Sequence, residues 1–179
     1  MARFTREPGG SPGAEAIRQL LIEGDTERWD AAGEALLLYA ARREHVTRLI
    51  QPALEAGTWV VCDRFSDSTL AYQGYGRGVP LAQLTMLQRF AIGDFCPDLT
   101  LILDLPVDDG FARAALRPRR ADRFERLDRD FHERLRKGFH AIAAAEPGRC
   151  VTLDAAGGIA AVERAIAAVI GARFGVTLA

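Results

Sequence analysis

The stretch that decides the fold is Thr58-Trp59-Val60-Val61-Cys62, which is followed at once by Asp63-Arg64-Phe65. An apolar run of this length between turn residues predicts a buried strand. The runs Leu99–Leu105 and Cys150–Asp154 have the same character. Short apolar strands that alternate with segments of helical periodicity predict an α/β fold, in which helices cover both faces of a parallel sheet.

The segments between these strands predict the helices. Ser11 caps a helix over Ala14–Glu23, and Asp30 caps a long helix that runs to Ala56. The other expected elements are a strand over Arg3–Arg6, a loop or short helix over Ser66–Gly78, and helices over Pro80–Ile92, Leu127–Ala145 and Ala160–Phe174. No internal repeat or linker divides the sequence, so residues 1–179 are expected to form a single domain.

The composition is that of an ordinary globular protein, with 49% hydrophobic and 26% charged residues. The formal net charge of -1 argues against a general attraction to nucleic acid or to a membrane surface. A site for an anion must therefore come from local clustering of basic residues. The first residues show no apolar signal region, and no apolar run approaches the length of a membrane span.

The cysteines and histidines give no sign of a metal site. Cys62, Cys96 and Cys150 are widely spaced and form no C-x-x-C pair, which indicates a reducing cytoplasm rather than a disulfide framework or a zinc site. The three histidines also lack the spacing of metal ligands. We expect them at the surface or in helix packing: His45, His132 and His140.

Asp63 and Arg64 are candidates for phosphate chemistry because they follow a buried strand. The guanidinium of Arg64 can donate two parallel hydrogen bonds to a phosphate. The carboxylate of Asp63 can orient that arginine or hold the waters of a bound Mg²⁺ ion. A structural salt bridge at the end of a strand is an equally open interpretation of the pair alone.

A second cluster of basic residues lies further along the chain, in a segment expected to be a mobile loop. Its members are Arg113, Arg117, Arg119, Arg120 and Arg123. Phosphoryl transfer spreads negative charge over the equatorial oxygens, so arginines that close over the site stabilise the transition state. The alternative is a solvated helix end at which Asp122 and Glu125 pair with neighbouring arginines.

Six motifs occur in an order and spacing that indicate a family. They are Thr5-Arg-Glu-Pro-Gly-Gly10, Leu37-Leu-Tyr-Ala-Ala-Arg42, Asp63-Arg-Phe65, Ala71-Tyr-Gln-Gly74 with Gly76-Arg-Gly78, Pro97-Asp-Leu-Thr100 and Asp122-Arg-Phe-Glu125. With these motifs the chain resembles the thymidylate kinases from Phe4 to the last helix. The resemblance implies a P-loop NTPase-like fold and the phosphorylation of dTMP to dTDP, with ATP as donor and Mg²⁺ as cofactor. It also implies a homodimer, for which the long helix around Glu34–Ala56 is a candidate contact surface.

The resemblance assigns roles to individual residues. Arg18 and Arg64 would hold the acceptor phosphate, and Asp63 would bind the metal through water. The turn and pocket for the pyrimidine and sugar would consist of Glu7, Pro8, Leu38, Arg42, Ser68, Thr69, Tyr72 and Gln73, with Tyr72 obstructing a ribose 2'-hydroxyl. The catalytic groups would be Asp63, Arg64 and the lid arginines Arg117, Arg119 and Arg123.

Leu38 departs from the family pattern. Leu38 and Arg42 are four residues apart and hence on one helix face, where an apolar side chain and a guanidinium suit a flat base. Similar kinases usually carry a phenylalanine stacked on thymine at this position. A leucine loses that aromatic contact, worth about 1 kcal/mol beyond area burial, so ordinary core packing is an open alternative for Leu38.

The sequence contains no G-x-x-x-x-G-K-[ST] motif, which normally cradles the phosphates of a nucleotide. Family members begin with a strand, this loop and a helix, a unit of roughly 30 residues. We therefore expect a thymidylate kinase-like domain that lacks its first strand-loop-helix unit and transfers no phosphate as a 179-residue polypeptide. The alternatives are a non-catalytic, nucleotide-binding pseudo-kinase and, less in keeping with the net charge, an arginine-rich nucleic-acid binder.

Overall fold

The structure, a computed structural model, describes residues 1–25, 27–116 and 127–177. Its strands are β1 (Ala2–Arg6), β2 (Trp59–Asp63), β3 (Thr100–Asp104) and β4 (Cys150–Asp154). Its α-helices are α1 (Pro12–Ile22), α2 (Ala31–His45), α3 (Gln51–Glu55), α4 (Ser66–Thr69), α5 (Leu81–Ile92), α6 (Val107–Ala115), α7 (Arg129–Ala145) and α8 (Ile159–Phe174). Two π-helical segments, Val46–Ile50 and Leu70–Gly76, continue α2 and α4.

The chain divides into two compact units. The first consists of Met1–Cys96 and Arg120–Gly138, and the second of Pro97–Arg119 and Phe139–Ala179. The expectation of a single domain stays a prediction. None of the helices formed by the described residues is both long enough and apolar enough to cross a membrane.

The first unit is built on a parallel pair of strands. β1 pairs with β2 in a register that runs from Ala2 opposite Trp59 to Arg6 opposite Asp63. Side chains of a strand alternate between its two faces, and in β2 Val60 and Cys62 pack against the buried core. That core is formed by Ala35, Tyr39, Val46, Ile50, Phe65, Leu84, Ala91 and Ile92. Helices α2 and α5 thus lie against the inner face of this strand pair.

The second unit is also built on a parallel pair. β3 pairs with β4 from Thr100 opposite Cys150 to Asp104 opposite Asp154. Arg149 donates to the Thr100 hydroxyl across 3.0 Å, which links the starts of the two strands. Both units therefore have the parallel pairing that the apolar runs predict.

The helices that carry candidate site residues begin at the expected caps. The Ser11 hydroxyl accepts a hydrogen bond from the Ala14 amide, and the Asp30 carboxylate accepts one from the Gly33 amide across 2.6 Å. Such caps satisfy amides that have no partner inside the helix. The capped helix α1 carries Arg18, while α2 carries Leu38 and Arg42.

The long helix expected from Asp30 to Ala56 is interrupted. The π-helical segment Val46–Ile50 separates α2 from α3. Proline has no amide hydrogen, and Pro52 removes a hydrogen bond that a regular helix would make to the preceding turn. In addition, the Thr47 hydroxyl donates to the Arg43 carbonyl across 2.8 Å. These two features explain why the helix widens here instead of continuing unchanged.

Candidate active site

Arg42 is the centre of a buried polar cluster in the first unit. Arg42 is 2% exposed, and its Nε atom donates to Glu7 Oε2 across 2.7 Å. Its Nη2 atom donates to the Thr69 hydroxyl across 2.9 Å. The cluster thus joins α2 to the loop after β1 and to the end of α4. A buried arginine is expected to be paired, and Glu7 supplies the counter-charge.

The remaining nitrogen of Arg42, Nη1, is buried and has no hydrogen-bond partner among the described residues. The guanidinium carbon lies 4.9 Å from the ring centre of Tyr39 and 5.3 Å from that of Phe65. Leaving a buried donor unsatisfied costs about 1–3 kcal/mol. A donor fixed in this way can donate a hydrogen bond to an oxygen atom of a flat ligand that packs against Leu38, one helical turn before it.

Glu7 has a second buried partner that the sequence analysis missed. Its Oε1 atom lies 3.1 Å from Nδ1 of His45, and Nε2 of His45 lies 2.8 Å from the Thr5 hydroxyl. His45 is 0% exposed, which agrees with the expectation that it packs within the protein. The sequence did not indicate that both of its ring nitrogens would be hydrogen-bonded. The signal that could have revealed this is the spacing of three between Arg42 and His45, which places both on one helix face.

Arg64 has an unusual backbone conformation. Its φ angle is 66°, and it is the only residue other than glycine with a positive φ angle in the described part of the chain. The left-handed region costs a non-glycine residue about 1–2 kcal/mol. The side chain is exposed, with its guanidinium carbon 4.9 Å from the ring centre of Tyr72. Arg64 and Tyr72, predicted separately, are therefore in contact.

Arg18 reaches the turn that follows β1. Its Nη1 atom donates to the Pro8 carbonyl oxygen across 2.8 Å. The predicted residues Pro8 and Arg18 thus contact each other directly. Ser68, which precedes Thr69 in α4, is partly exposed.

Gln73 belongs to a further buried cluster. Its Nε2 atom donates to Glu34 Oε1 across 2.7 Å, and Nε of Arg77 lies 3.5 Å from the same oxygen. Glu34 is fully buried, and the Oε1 atom of Gln73 is buried without a partner among the described residues. Glu34 and Arg77 were not predicted as site residues. A lone glutamate near the start of a helix gives no sign of burial, because its partner is 39 positions away.

Tyr39 contributes an aromatic wall to the Arg42 cluster. Its hydroxyl is buried without a hydrogen-bond partner among the described residues. Burial raises the pKa of this hydroxyl, and the Glu7 carboxylate raises it further, while the Arg42 guanidinium acts in the opposite direction. The hydroxyl is therefore a neutral donor at physiological pH.

Asp63 ends β2 with an exposed carboxylate. Among the residues that the structure describes, no three His, Cys, Asp or Glu side chains are grouped so that they could hold a metal ion. The single exposed carboxylate of Asp63 is compatible with a Mg²⁺ ion that keeps several waters and is bound mainly through them and through substrate phosphates. The predicted lid residues Arg117, Arg119 and Arg123 lie outside the described residues.

Comparison with known proteins agrees with the resemblance. The thymidylate kinase family matches residues 1–166. The thymidylate kinase of Caulobacter vibrioides is 52% identical over 171 residues, which are 96% of this chain and 82% of that protein. That of Rhodopseudomonas palustris is 57% identical over 154 residues, which are 84% of this chain and 67% of that protein.

A solved structure supports the fold. The crystal structure of thymidylate kinase from Ehrlichia chaffeensis matches with a TM-score of 0.68 and 36% identity, over 85% of this chain and 73% of that chain. The predicted P-loop NTPase-like α/β fold is thereby confirmed, as is the phosphorylation of dTMP as the activity of the family. The expected lack of the first strand-loop-helix unit and of phosphate transfer by the 179-residue polypeptide stays a prediction. The chain belongs to the thymidylate kinase family.

Proposed function

We propose that the clusters around Arg42 and Arg64 form the acceptor site for dTMP, with ATP as the phosphoryl donor and Mg²⁺ as the cofactor. The observation that carries this proposal is the buried, unpaired Nη1 atom of Arg42. A polar atom of this kind is costly unless a ligand satisfies it. A pyrimidine carbonyl oxygen is the ligand atom that the family assignment supplies.

The base end of the site combines this donor with an apolar surface and several polar side chains. Leu38 lies one helical turn before Arg42 and is buried. It supplies an apolar contact for the pyrimidine, without the aromatic stacking that a phenylalanine would add. Thr69 and Glu7 hold the guanidinium in place through its other two nitrogens. Ser68 and Gln73 are the further polar residues that we propose for the pyrimidine and sugar.

The phosphate end is built from Arg18 and Arg64. Neither is buried, in keeping with an acceptor phosphate that enters from water. Tyr72 packs between Arg64 and Phe131, with ring centres of the two aromatics 5.9 Å apart. A ring held on both sides is rigid enough to exclude a ribose 2'-hydroxyl, which is the role we propose for Tyr72.

The reaction that we propose is a direct in-line attack by an acceptor phosphate oxygen on the γ-phosphorus of ATP. The new oxygen–phosphorus bond gives dTDP, while the bond from the γ-phosphorus to the β–γ bridging oxygen breaks and ADP leaves. Because the acceptor is already anionic, the protein mainly positions the groups and neutralises charge. Arg18 and Arg64 orient the acceptor. Asp63 would hold the Mg²⁺ ion through water, and the ion would supply charge neutralisation. The lid arginines Arg117, Arg119 and Arg123 remain part of this proposal. A cytoplasmic location fits these substrates and the widely spaced cysteines.

dTMP should be the preferred nucleotide of the proposed acceptor site. The 179-residue polypeptide is expected to bind dTMP at least about tenfold more tightly than UMP or AMP, because only dTMP matches both the Arg42 donor and the closed 2' position. Isothermal calorimetry measures the three affinities, and binding tests the acceptor site without the donor. Equal affinity for the three nucleotides would contradict the assignment of dTMP to this site.

We also propose a homodimer that forms through the outer faces of α2 and α5. Phe90 is 91% exposed, Met86 lies one turn before it on α5, and Leu36 is exposed on α2. Arg43 on α2 donates to the Ala91 carbonyl across 3.1 Å, which places the two helices side by side. An apolar surface of this kind is typical of an interface between subunits.

Replacing Phe90 by aspartate is expected to convert the dimer to a monomer, because the change places a charge in the apolar contact. Sedimentation velocity at micromolar concentration measures the change in mass. A matched control is Ile159→Asp on α8, which alters an apolar residue that is 81% exposed and should leave the dimer intact. A dimer that survives Phe90→Asp would contradict this interface.

A further inference from the structure

Cys62 is the last inward-facing residue of β2, and the proposed reaction gives it no role. Its thiol donates a hydrogen bond to the Arg64 carbonyl oxygen, with 3.0 Å between Sγ and O. The bond spans the one residue between them, Asp63. It therefore acts on the short segment in which the strand ends and the chain turns toward α4.

The turn at Arg64 changes which side chain faces the core. Along β2 the residues alternate, with Val60 and Cys62 facing inward and Val61 facing outward. A continued strand would put residue 64 on the inner face and residue 65 on the outer face. The structure has the opposite arrangement, because Arg64 is exposed and Phe65 is buried in the core. The left-handed conformation of Arg64 therefore turns its own side chain outward and the side chain of Phe65 inward.

We propose that Cys62 is a positioning residue for Arg64, whose thiol fixes the left-handed turn that brings this arginine to the acceptor phosphate. The inference rests on the proposed phosphate-binding role of Arg64. The left-handed conformation is unfavourable for an arginine, so it persists only where surrounding contacts maintain it. The contacts that maintain it include the packing of Phe65 in the core on one side and the Cys62 hydrogen bond on the other. The Glu7 amide also donates to the Asp63 carbonyl oxygen, and the Ser68 amide to that of Phe65.

The test compares apolar and hydroxyl replacements of Cys62, using dTMP and thymidine as ligands. Cys62→Ala and Cys62→Val remove the donor, and valine also keeps the space filled in a strand. We expect both to bind dTMP about three- to tenfold more weakly, the net effect of one hydrogen bond. Cys62→Ser keeps a donor and should stay within about twofold of the parent chain. Cys96→Ala, at an exposed cysteine, is the matched control.

Thymidine distinguishes positioning from general damage to the fold. It lacks the phosphate, so its affinity should be the same in the parent chain and in all Cys62 variants. Unchanged dTMP affinity in Cys62→Ala and Cys62→Val, or equal weakening of dTMP and thymidine, would overturn the inference while leaving the proposed function intact. If the parent chain itself binds dTMP no better than thymidine, the proposed role of Arg64 fails and the inference fails with it.

Discussion

Replacing Arg42 by methionine is expected to lower the free energy of unfolding by about 3–5 kcal/mol, because it leaves a buried carboxylate without its counter-charge. Glu7 and Arg42 are both almost fully buried, and the oxygen and nitrogen atoms that join them are 2.7 Å apart. Methionine fills much of the volume of arginine. The loss therefore comes from the buried Glu7 charge, which keeps only its contact with His45, rather than from a cavity. Urea unfolding followed by circular dichroism measures it.

The matched control for Arg42 is an exposed arginine on the neighbouring π-helical segment. Arg48 is 72% exposed and lies 3.8 Å from Glu44, an ion pair of the kind that contributes about 0–1 kcal/mol. Arg48→Met should therefore change the stability little. A double variant, Glu7→Gln with Arg42→Met, removes both charges and should lose about 1–3 kcal/mol less than the sum of the single changes. Strict additivity, or a loss below about 1 kcal/mol for Arg42→Met, would contradict a buried ion pair.

The strands were predictable because their signal is local. The run Cys150–Asp154 is the strand that the sequence predicts, and β2 is displaced by one residue from the predicted Thr58–Cys62. A short run of apolar residues between turn residues is enough to locate a strand to within about one residue here. The break in the long helix was not predicted. The position of Pro52 after an otherwise regular helical pattern was its one local sign.

The site residues that belong to family motifs could be predicted, whereas the buried contacts between distant residues could not. Arg42 and Thr69 were both predicted, and they contact each other. Glu7 was assigned to the shape of a turn, yet its carboxylate holds both Arg42 and His45. Contacts between residues 35 and 38 positions apart leave no periodic pattern. Only the folded chain brings these side chains together.

Replacing Arg64 by methionine is expected to weaken dTMP binding by about 100-fold, the loss of a charge-assisted, bidentate contact worth about 3 kcal/mol. Thymidine affinity should be unchanged, because thymidine has no phosphate. Methionine, like arginine, is unbranched at Cβ and bears a similar cost for the left-handed conformation, so the change adds no new strain. Calorimetric titration with the two ligands measures both affinities.

Arg64→Lys is the matched variant, because lysine keeps the charge but has no planar fork. It should fall between the parent chain and Arg64→Met in dTMP affinity. Since Arg64 is exposed, neither change should alter the unfolding free energy by more than about 0.5 kcal/mol. This distinguishes Arg64 from Arg42, because the loss of Arg42 is expected to lower the free energy of unfolding. If Arg64→Met binds dTMP as tightly as the parent chain, the acceptor phosphate is held elsewhere, and the pairing of Arg64 with Tyr72 is structural.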